Sequence, residues 1–79
     1  MVYVYILQSK KDSGYYIGIS KNVQHRLNEH NLGKTTSTKN RRPFVLKYTE
    51  RFNDYKAARN REIEIKSFKG GNKFKVLIR

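Results

Sequence analysis

Several residue types are absent or scarce in this chain of 79 residues. It contains no cysteine, a single proline and only 6 acidic residues. Without cysteine, a disulfide framework, a cysteine-ligated zinc site and thiol catalysis are all excluded. No apolar run approaches the roughly 20 residues of a membrane span, and the first residues carry no basic leader of the secretory kind. We therefore expect one small cytoplasmic domain over residues 1–79, with no membrane partner.

Positive charge is the most prominent feature that the sequence does have. Lys and Arg number 18 against 6 Asp and Glu, which gives a formal net charge of +12. Self-repulsion of this size destabilises a compact state unless a polyanion or counterions offset it, and the usual polyanion is nucleic acid. The alternatives are a basic protein without such a ligand and a surface that meets anionic lipid. Charge alone indicates a class of partner and no reaction.

Two kinds of apolar pattern alternate along the chain. Runs of β-branched and aromatic residues favour strands, whereas apolar residues that recur at helical spacing favour helices. The patterns predict strands at 2–7, 15–19 and 44–49, helices at 21–31 and 55–68, and an amphipathic tail at 73–79 that is either a helical turn or a strand. The predicted fold is therefore α+β, a small sheet with helices packed against it, in the order strand, strand, helix, strand, helix, tail.

Polar residues mark where these elements begin and end. Ser20 is a plausible N-cap for the first helix, and Gly33 ends that helix. Asn53 or Asp54 can cap the second helix. Residues 32–43 are polar, basic and without periodicity, which predicts a surface loop. Loops of this length in small domains tend to be functional or mobile.

Three charged or titratable residues fall beside the apolar faces of the helices. At 100° per residue, Arg26 and His30 share or border the face that the first helix turns toward the sheet. A guanidinium on a partly covered face needs a counter-charge or a phosphate. On the second helix, Glu62 lies beside the apolar stripe. Two interpretations of Glu62 stay open, a simple ion pair with Arg26 or Arg61 and a functional carboxylate.

Tyrosine and glycine stand out within the strands. The two-residue period allows Tyr5 and Tyr16 to lie side by side on neighbouring strands. The 6 tyrosines can also be simple strand formers whose hydroxyl groups reach water. Gly18 is harder to explain in that way, because a glycine inside a strand weakens it and often marks close approach by a ligand or another backbone.

These residues together resemble a known family. The order and spacing are similar to those of a small stand-alone member of the GIY-YIG endonuclease superfamily, which also includes the N-terminal nuclease domain of an excision-repair endonuclease. The first motif, Tyr3-Val4-Tyr5, opens with tyrosine where the family has glycine. An asparagine that several relatives carry beyond the glutamate has no clear counterpart, since Asn72 comes too early. The matching residues, in chain order, are Tyr3-Val4-Tyr5, Tyr16-Ile17-Gly18, Arg26, His30 and Arg61-Glu62.

The resemblance implies both a fold and a reaction. The fold is a three-stranded antiparallel sheet flanked by helices. The reaction is hydrolysis of phosphodiester bonds in DNA, in repair or recombination, with one Mg²⁺ or Mn²⁺ ion that binds weakly without substrate. Glu62 would be the metal ligand, Arg26 would hold a phosphate oxygen, and Tyr16 or His30 would be the general base. The implied catalytic residues are Tyr5, Tyr16, Arg26, His30 and Glu62.

The remaining basic residues suggest a surface that follows a nucleic-acid backbone. Such phosphate contacts position a strand without reading its sequence, so we expect little sequence preference. Two alternatives remain, an inactive nucleic-acid-binding module of the same fold and a structural basic protein. RNA as substrate and assembly as a homodimer or with a protein partner are also open. The residues expected to bind nucleic acid are Lys34, Lys39, Arg41, Arg42, Lys66, Lys69 and Lys73.

Overall fold

A central strand with a partner on each side organises the fold. The structure is a computed structural model that describes residues 1–79. Its elements are β1 (Val2–Ser9), β2 (Tyr15–Ser20), α1 (Val23–Asn31), a 3₁₀ turn (Lys39–Arg41), β3 (Phe44–Phe52), α2 (Tyr55–Ser67) and α3 (Asn72–Ile78). The strands form one antiparallel sheet in the order β2-β1-β3. The predicted α+β fold and three-stranded sheet are confirmed, and the ambiguous tail is a helix.

Both faces of β1 are covered, which explains why the strand is apolar at every position from 2 to 7. One face carries Val2, Val4 and Ile6, and it packs against Ala58 and Ile65 of α2 together with a side chain from α3. The side chain from α3 is Phe74, which is buried. A strand with solvent on one face would alternate apolar and polar residues, whereas a doubly covered strand does not. Helices α2 and α3 therefore close one side of the sheet.

The opposite face of β1 forms a second, smaller core. Tyr5 and Leu7 are buried there with Phe44, the first residue of β3. Val23 and Leu27 of α1 pack against this cluster. Because α1 lies on this face, the residues on its inner side are brought against Tyr5, and this is where the polar side chains gather.

Helix α1 begins two residues later than predicted. Its N-cap is Asn22, whose side-chain oxygen accepts a hydrogen bond from the backbone N–H of His25 at 3.0 Å. The assignment of Ser20 as N-cap was wrong. The Ser20 hydroxyl instead accepts from the backbone N–H of Asn22 and donates to its carbonyl, both at 3.0 Å. Ser20 is still the last residue of β2, so its hydroxyl stabilises the turn that leads into the helix.

The other helix boundaries agree with the sequence patterns. Gly33 ends α1 with a φ of +78°, a conformation that glycine adopts without the steric cost borne by other residues. Its N–H bonds to the carbonyl of His30 at 3.1 Å, so one free carbonyl of the last turn is satisfied. Of the two candidates for the α2 cap, Asp54 is the N-cap, and its carboxylate accepts from the N–H of Ala57 at 2.8 Å.

The long basic loop at residues 32–43 is only partly a surface loop. Most of its side chains are exposed, but Thr38 has no exposed surface. The β1–β2 hairpin anchors the loop, since the Ser9 hydroxyl donates to the Arg41 carbonyl at 2.5 Å and the Arg41 guanidinium binds Asp12 at 2.8 Å. The prediction of a surface loop therefore holds for most of the segment, but the loop also supplies one side chain to the interior and is bonded to the sheet.

Strand β3 is longer than its apolar pattern suggested. Residues 50–52 continue the strand because they pair with Val2, Tyr3 and Val4 of the central strand. None of the helices has the length and hydropathy that a membrane span requires.

Candidate active site

A buried pair of polar side chains, Tyr5 and His30, lies between the sheet and α1. Tyr5 is 1% exposed and His30 is 0% exposed. The Tyr5 hydroxyl and the Nε2 atom of His30 are 3.3 Å apart, and Nδ1 of His30 is 2.8 Å from the hydroxyl oxygen of Thr38. Both ring nitrogens of His30 therefore have partners within the protein, as buried polar groups require.

Gly18 makes room for the Tyr5 ring. The two residues face each other in the β1–β2 register. A Cβ atom on Gly18 would lie 2.6 Å from Oη and 2.7 Å from Cζ of Tyr5. Gly18 does lie at a close approach, but the expectation of a ligand or another backbone was wrong, because the approaching group is the Tyr5 ring. Glycine in the second motif is thus a packing requirement of tyrosine in the first.

Tyr16 lies diagonally across the strand pair from Tyr5. It pairs in register with Leu7, two positions along β1. The Tyr16 ring centroid is 6.2 Å from that of Tyr5 and 4.7 Å from that of His30. Diagonal neighbours on a sheet remain within reach of aromatic side chains. Tyr16 is only partly buried, so of the two tyrosines it is the one that faces solvent.

Arg26 borders this cluster one turn before His30 on α1. Its side chain is 34% exposed, and its Nη1 atom donates to Glu29 at 3.2 Å. Burial raises the pKa of Tyr5 to about 12; the charge of Tyr16 adds to this shift, and the Arg26 guanidinium opposes it. Burial, with the charge of Arg26, lowers the pKa of His30. Tyr5 and His30 are therefore both uncharged at neutral pH.

Glu62 is nearly buried on α2 and has two cationic partners. It is 6% exposed, and its carboxylate contacts Arg59 at 2.6 Å and Lys66 at 3.1 Å. The suggested ion pair with Arg26 or Arg61 was wrong. Residues three and four positions away are neighbours on a helix surface, so Arg59 and Lys66 reach the carboxylate. Arg61 instead pairs with two other acids, Glu50 at 2.9 Å and Glu64 at 2.7 Å.

The five predicted catalytic residues do not all touch. Tyr5, Tyr16, Arg26 and His30 form one cluster on the α1 face, whereas α2, which carries Glu62, packs on the other face of the sheet. No hydrogen bond or ion pair joins Glu62 to the cluster, although its charge contributes to the raised pKa of Tyr5.

A single carboxylate limits the kind of metal that Glu62 can hold. The chain has no group of three or more His, Cys, Asp and Glu side chains arranged to bind a metal ion. Glu62 fits a magnesium-like ion, which keeps several waters and takes phosphate oxygens as further ligands. Arg59 and Lys66 would have to release the carboxylate first, so the residues fit a weakly held ion.

The expected nucleic-acid-binding residues differ in how free they are. Arg41 is engaged with Asp12, and this contact helps to lower the pKa of that carboxyl to about 2. Lys66 is paired with Glu62. The Lys73 ammonium lies 5.8 Å from the centre of the Phe68 ring. Three further lysines of this set are exposed and have no ion-pair partner. Arg42 is also exposed and without an ion pair, although its Nε donates to a loop carbonyl. The three lysines are Lys34, Lys39 and Lys69.

Thr38 is the site residue that sequence reasoning missed. Nothing in a polar segment without periodicity distinguishes a threonine that points inward from those that point outward. Its partner His30 was identified, and a buried histidine needs a partner for each ring nitrogen. That requirement identifies the hydroxyl groups of the adjacent loop as candidate partners of His30.

Comparisons with known proteins bear on the family and the fold of this chain. A family model described as the GIY-YIG catalytic domain matches residues 1–75. The chain is 45% identical over 76 residues to a UPF0213 protein of Staphylococcus haemolyticus, which covers 95% of this chain and 92% of that one. A UPF0213 protein of Natronomonas pharaonis is 41% identical over 76 residues, with 95% and 88% covered. The solution NMR structure of a UPF0213 protein from Bacillus halodurans has a TM-score of 0.59 and 35% identity, and covers 96% of this chain and 82% of that one.

The packing of Tyr5 over Gly18 predicts strong coupling between the two positions. Gly18→Ala should lower the free energy of unfolding by about 1–3 kcal/mol, because the new methyl group displaces the ring. In a Tyr5→Leu background the same substitution should cost much less, since the atoms that it meets are gone. Urea unfolding of the four proteins in this double-mutant cycle measures the coupling. Equal losses in both backgrounds would contradict the contact.

Burial of neutral His30 predicts a dependence of stability on pH. In the unfolded chain histidine protonates near pH 6.5, whereas burial lowers the pKa of folded His30 below that value. Below about pH 6.5 the unfolded state therefore binds more protons than the folded state does. The contribution of His30 to the free energy of unfolding should be fully present above about pH 6.5 and should be lost on acidification. His30→Gln should flatten this dependence, and the matched variant of exposed His25, His25→Gln, should retain it. Urea titrations across this pH range provide the measurement, and an unchanged slope in His30→Gln would refute the assignment.

Proposed function

Because the chain belongs to the GIY-YIG catalytic-domain family, together with the small UPF0213 proteins, we propose that it is a metal-dependent endonuclease that hydrolyses phosphodiester bonds in DNA. Its fold is of the nuclease type. The observation that carries the proposal is the cluster of Tyr5, Tyr16, Arg26 and His30 on one face of the sheet. A structural basic protein has no need to gather a phenol, a guanidinium and a buried imidazole in one place.

Hydrolysis of a phosphodiester sets two chemical requirements. A water molecule must lose a proton as it attacks the phosphorus in line with the leaving oxygen. Positive charge must also stabilise the negative charge that develops on the phosphoryl oxygens. The site offers candidates for both tasks.

Arg26 is proposed to bind the scissile phosphate. Its side chain is partly exposed, and its ion pair with Glu29 uses Nη1, so other N–H groups of the fork are left for a phosphate. The planar fork of arginine matches two phosphate oxygens and keeps its charge at any working pH.

Tyr16 is proposed as the general base. Tyr5 is an unsuitable base because burial raises its pKa to about 12, and His30 is fully buried with both ring nitrogens occupied. Tyr16 is partly exposed beside them. A general base must come within hydrogen-bond reach of the attacking water, and the partial exposure of Tyr16 allows that approach. Tyr5 and His30 then act by holding the surface on which Tyr16 and Arg26 meet the substrate.

Glu62 is proposed as the ligand of one Mg²⁺ or Mn²⁺ ion. When bound, such an ion would stabilise negative charge on the phosphate and make water a better nucleophile. Arg59 and Lys66 neutralise the carboxylate in its absence. Because a nucleic-acid backbone offers these two cations other anionic partners, we expect Glu62 to become available when substrate is present, and the ion to bind weakly without it.

The exposed lysines Lys34, Lys39 and Lys69 are proposed to contact the backbone on either side of the site. Contacts of this kind position a strand without reading bases, so cleavage should follow the structure of the DNA more than its sequence. Preferential cleavage of nicked, flapped or branched DNA would support a role in repair or recombination. Cleavage of RNA substrates of the same shapes tests whether the enzyme distinguishes ribose from deoxyribose.

Substitution of the proposed metal ligand tests the function. With Mg²⁺ or Mn²⁺, the wild-type protein should cleave duplex, flapped or branched DNA, and both Glu62→Gln and Tyr16→Phe should lower the rate by about 10²-fold or more. Glu64→Gln is the matched control, because Glu64 is an exposed acid of the same helix and should leave the rate nearly unchanged.

Two results of this assay would overturn the proposal. Cleavage that survives in Glu62→Gln would place the activity elsewhere or in a contaminant. Wild-type protein that binds each DNA but cleaves none of them with either metal would identify an inactive binding module of the same fold.

A further inference from the structure

Thr38 makes contacts that the proposed reaction does not yet use. It is fully buried although it comes from the middle of the polar loop at residues 32–43. Its hydroxyl oxygen is 2.8 Å from Nδ1 of His30 and 3.4 Å from the carbonyl oxygen of Thr35. A threonine hydroxyl has one proton to donate, and its oxygen can accept as well. The direction of each hydrogen bond therefore determines which nitrogen of His30 carries a proton.

The hydroxyl of Tyr5 limits the choice at the other end of the ring. Its only hydrogen-bond acceptor is Nε2 of His30, at 3.3 Å. The nearby guanidinium of Arg26 lacks any acceptor and can only donate to the Tyr5 oxygen. If Nε2 carried a proton, the buried Tyr5 hydroxyl would have no acceptor for its own, an arrangement that proteins avoid.

A single arrangement gives every proton an acceptor. Tyr5 donates to Nε2 of His30, Nδ1–H of His30 donates to Thr38, and Thr38 donates to the carbonyl of Thr35. In this arrangement the lone pairs of the Tyr5 oxygen remain free to accept a hydrogen bond. The chain of bonds thus runs from the loop through His30 to Tyr5.

We propose that Thr38 is a positioning residue, which holds neutral His30 in the Nδ1–H tautomer and so keeps Nε2 as the acceptor of the Tyr5 proton. The catalytic meaning of this arrangement rests on the proposed function, whereas the tautomer itself does not. Thr38 is in turn held by the loop, since its N–H bonds to the Thr35 carbonyl at 3.1 Å and its carbonyl accepts from the N–H of Arg41 at 2.9 Å. Arg41 is anchored to Asp12 in the hairpin. Formation of the basic loop and organisation of the Tyr5–His30 pair are therefore coupled.

Nitrogen NMR of the histidine rings tests this directly. The chain has only two histidines, so the spectrum of ¹⁵N-labelled protein contains two ring systems, and exposed His25 is an internal reference. At a pH where His30 is neutral, its Nδ1 should show a shift typical of a protonated nitrogen and its Nε2 a shift typical of a bare one. The opposite pattern in the wild-type protein would overturn the proposal without any variant being needed.

Two variants of Thr38 separate the hydroxyl from the volume of the side chain. Thr38→Ser keeps the hydroxyl and should keep the Nδ1–H tautomer. Thr38→Val replaces the hydroxyl with a methyl group of similar size, so each tautomer then leaves one buried proton without an acceptor, either on Nδ1 of His30 or on Tyr5. The Nδ1–H tautomer therefore loses its advantage, and part of the His30 population should shift to Nε2–H while the His25 signals stay in place. An unchanged tautomer in a folded Thr38→Val protein would contradict the proposal. If that variant does not fold, the wild-type and Thr38→Ser spectra decide.

Cleavage rates then distinguish this inference from the function on which it rests. Thr38→Ser should cleave within about threefold of wild type, and Thr38→Val should be slower by about tenfold, in the range expected for misplacing a site group. A wild-type protein with the predicted tautomer but no nuclease activity would refute the function and leave the role of Thr38 in His30 intact. A tautomer shift in Thr38→Val without any loss of cleavage would show that the arrangement does not serve catalysis.

Discussion

The hydrogen bond between Tyr5 and His30, made above a strand position that has no side chain, is the constraint on which the site depends. Tyr5 can lean across β2 only because residue 18 is glycine. From there it reaches a histidine that α1 buries against the sheet. Tyr16 and Arg26 are positioned around this pair, one by the strand register and the other by the helical repeat. The motifs that identify the family are thus parts of one packing solution, in which glycine in one strand accommodates tyrosine from the next.

Burial divides the polar residues into those that hold the site and those that can meet a substrate. Tyr5, His30 and Thr38 are inaccessible, and burial keeps Tyr5 and His30 in their neutral forms. Tyr16 and Arg26 retain access to solvent. This division gives a physical reason for choosing Tyr16 over His30 as the base, which spacing in the sequence leaves undecided. Glu62 approaches from the other helical layer, so the proposed centre joins groups from both sides of the sheet.

Most of the fold could be predicted because each element leaves a local pattern. The doubly covered strand β1 is aliphatic or aromatic at every position from 2 to 7, and α2 is marked by a cap and an apolar stripe. Details that depend on three-dimensional neighbours could not. Ser20 and Asn22 are both good caps, and only the end of β2 decides between them. Burial of Thr38 depends on how a loop without periodicity packs, and it has no sequence signature. The ion partners of Glu62 could be predicted, because Arg59 and Lys66 lie three and four residues from it on the same helix. The cluster of Tyr5, Tyr16, Arg26 and His30 could be predicted only by combining the two-residue period of the strands, the angles around the first helix and the family resemblance.

The central question is whether Glu62 and the cluster around Tyr16 act on the same phosphate. Paramagnetic broadening by Mn²⁺ of ¹⁵N-labelled protein bound to an uncleavable DNA analogue answers it directly. Broadening should begin at residues around Glu62 and Tyr16, require the DNA, and disappear in Glu62→Gln. Broadening centred on other acids such as Glu50 or Asp54, or broadening that persists unchanged in Glu62→Gln, would contradict a single metal-dependent centre at this site.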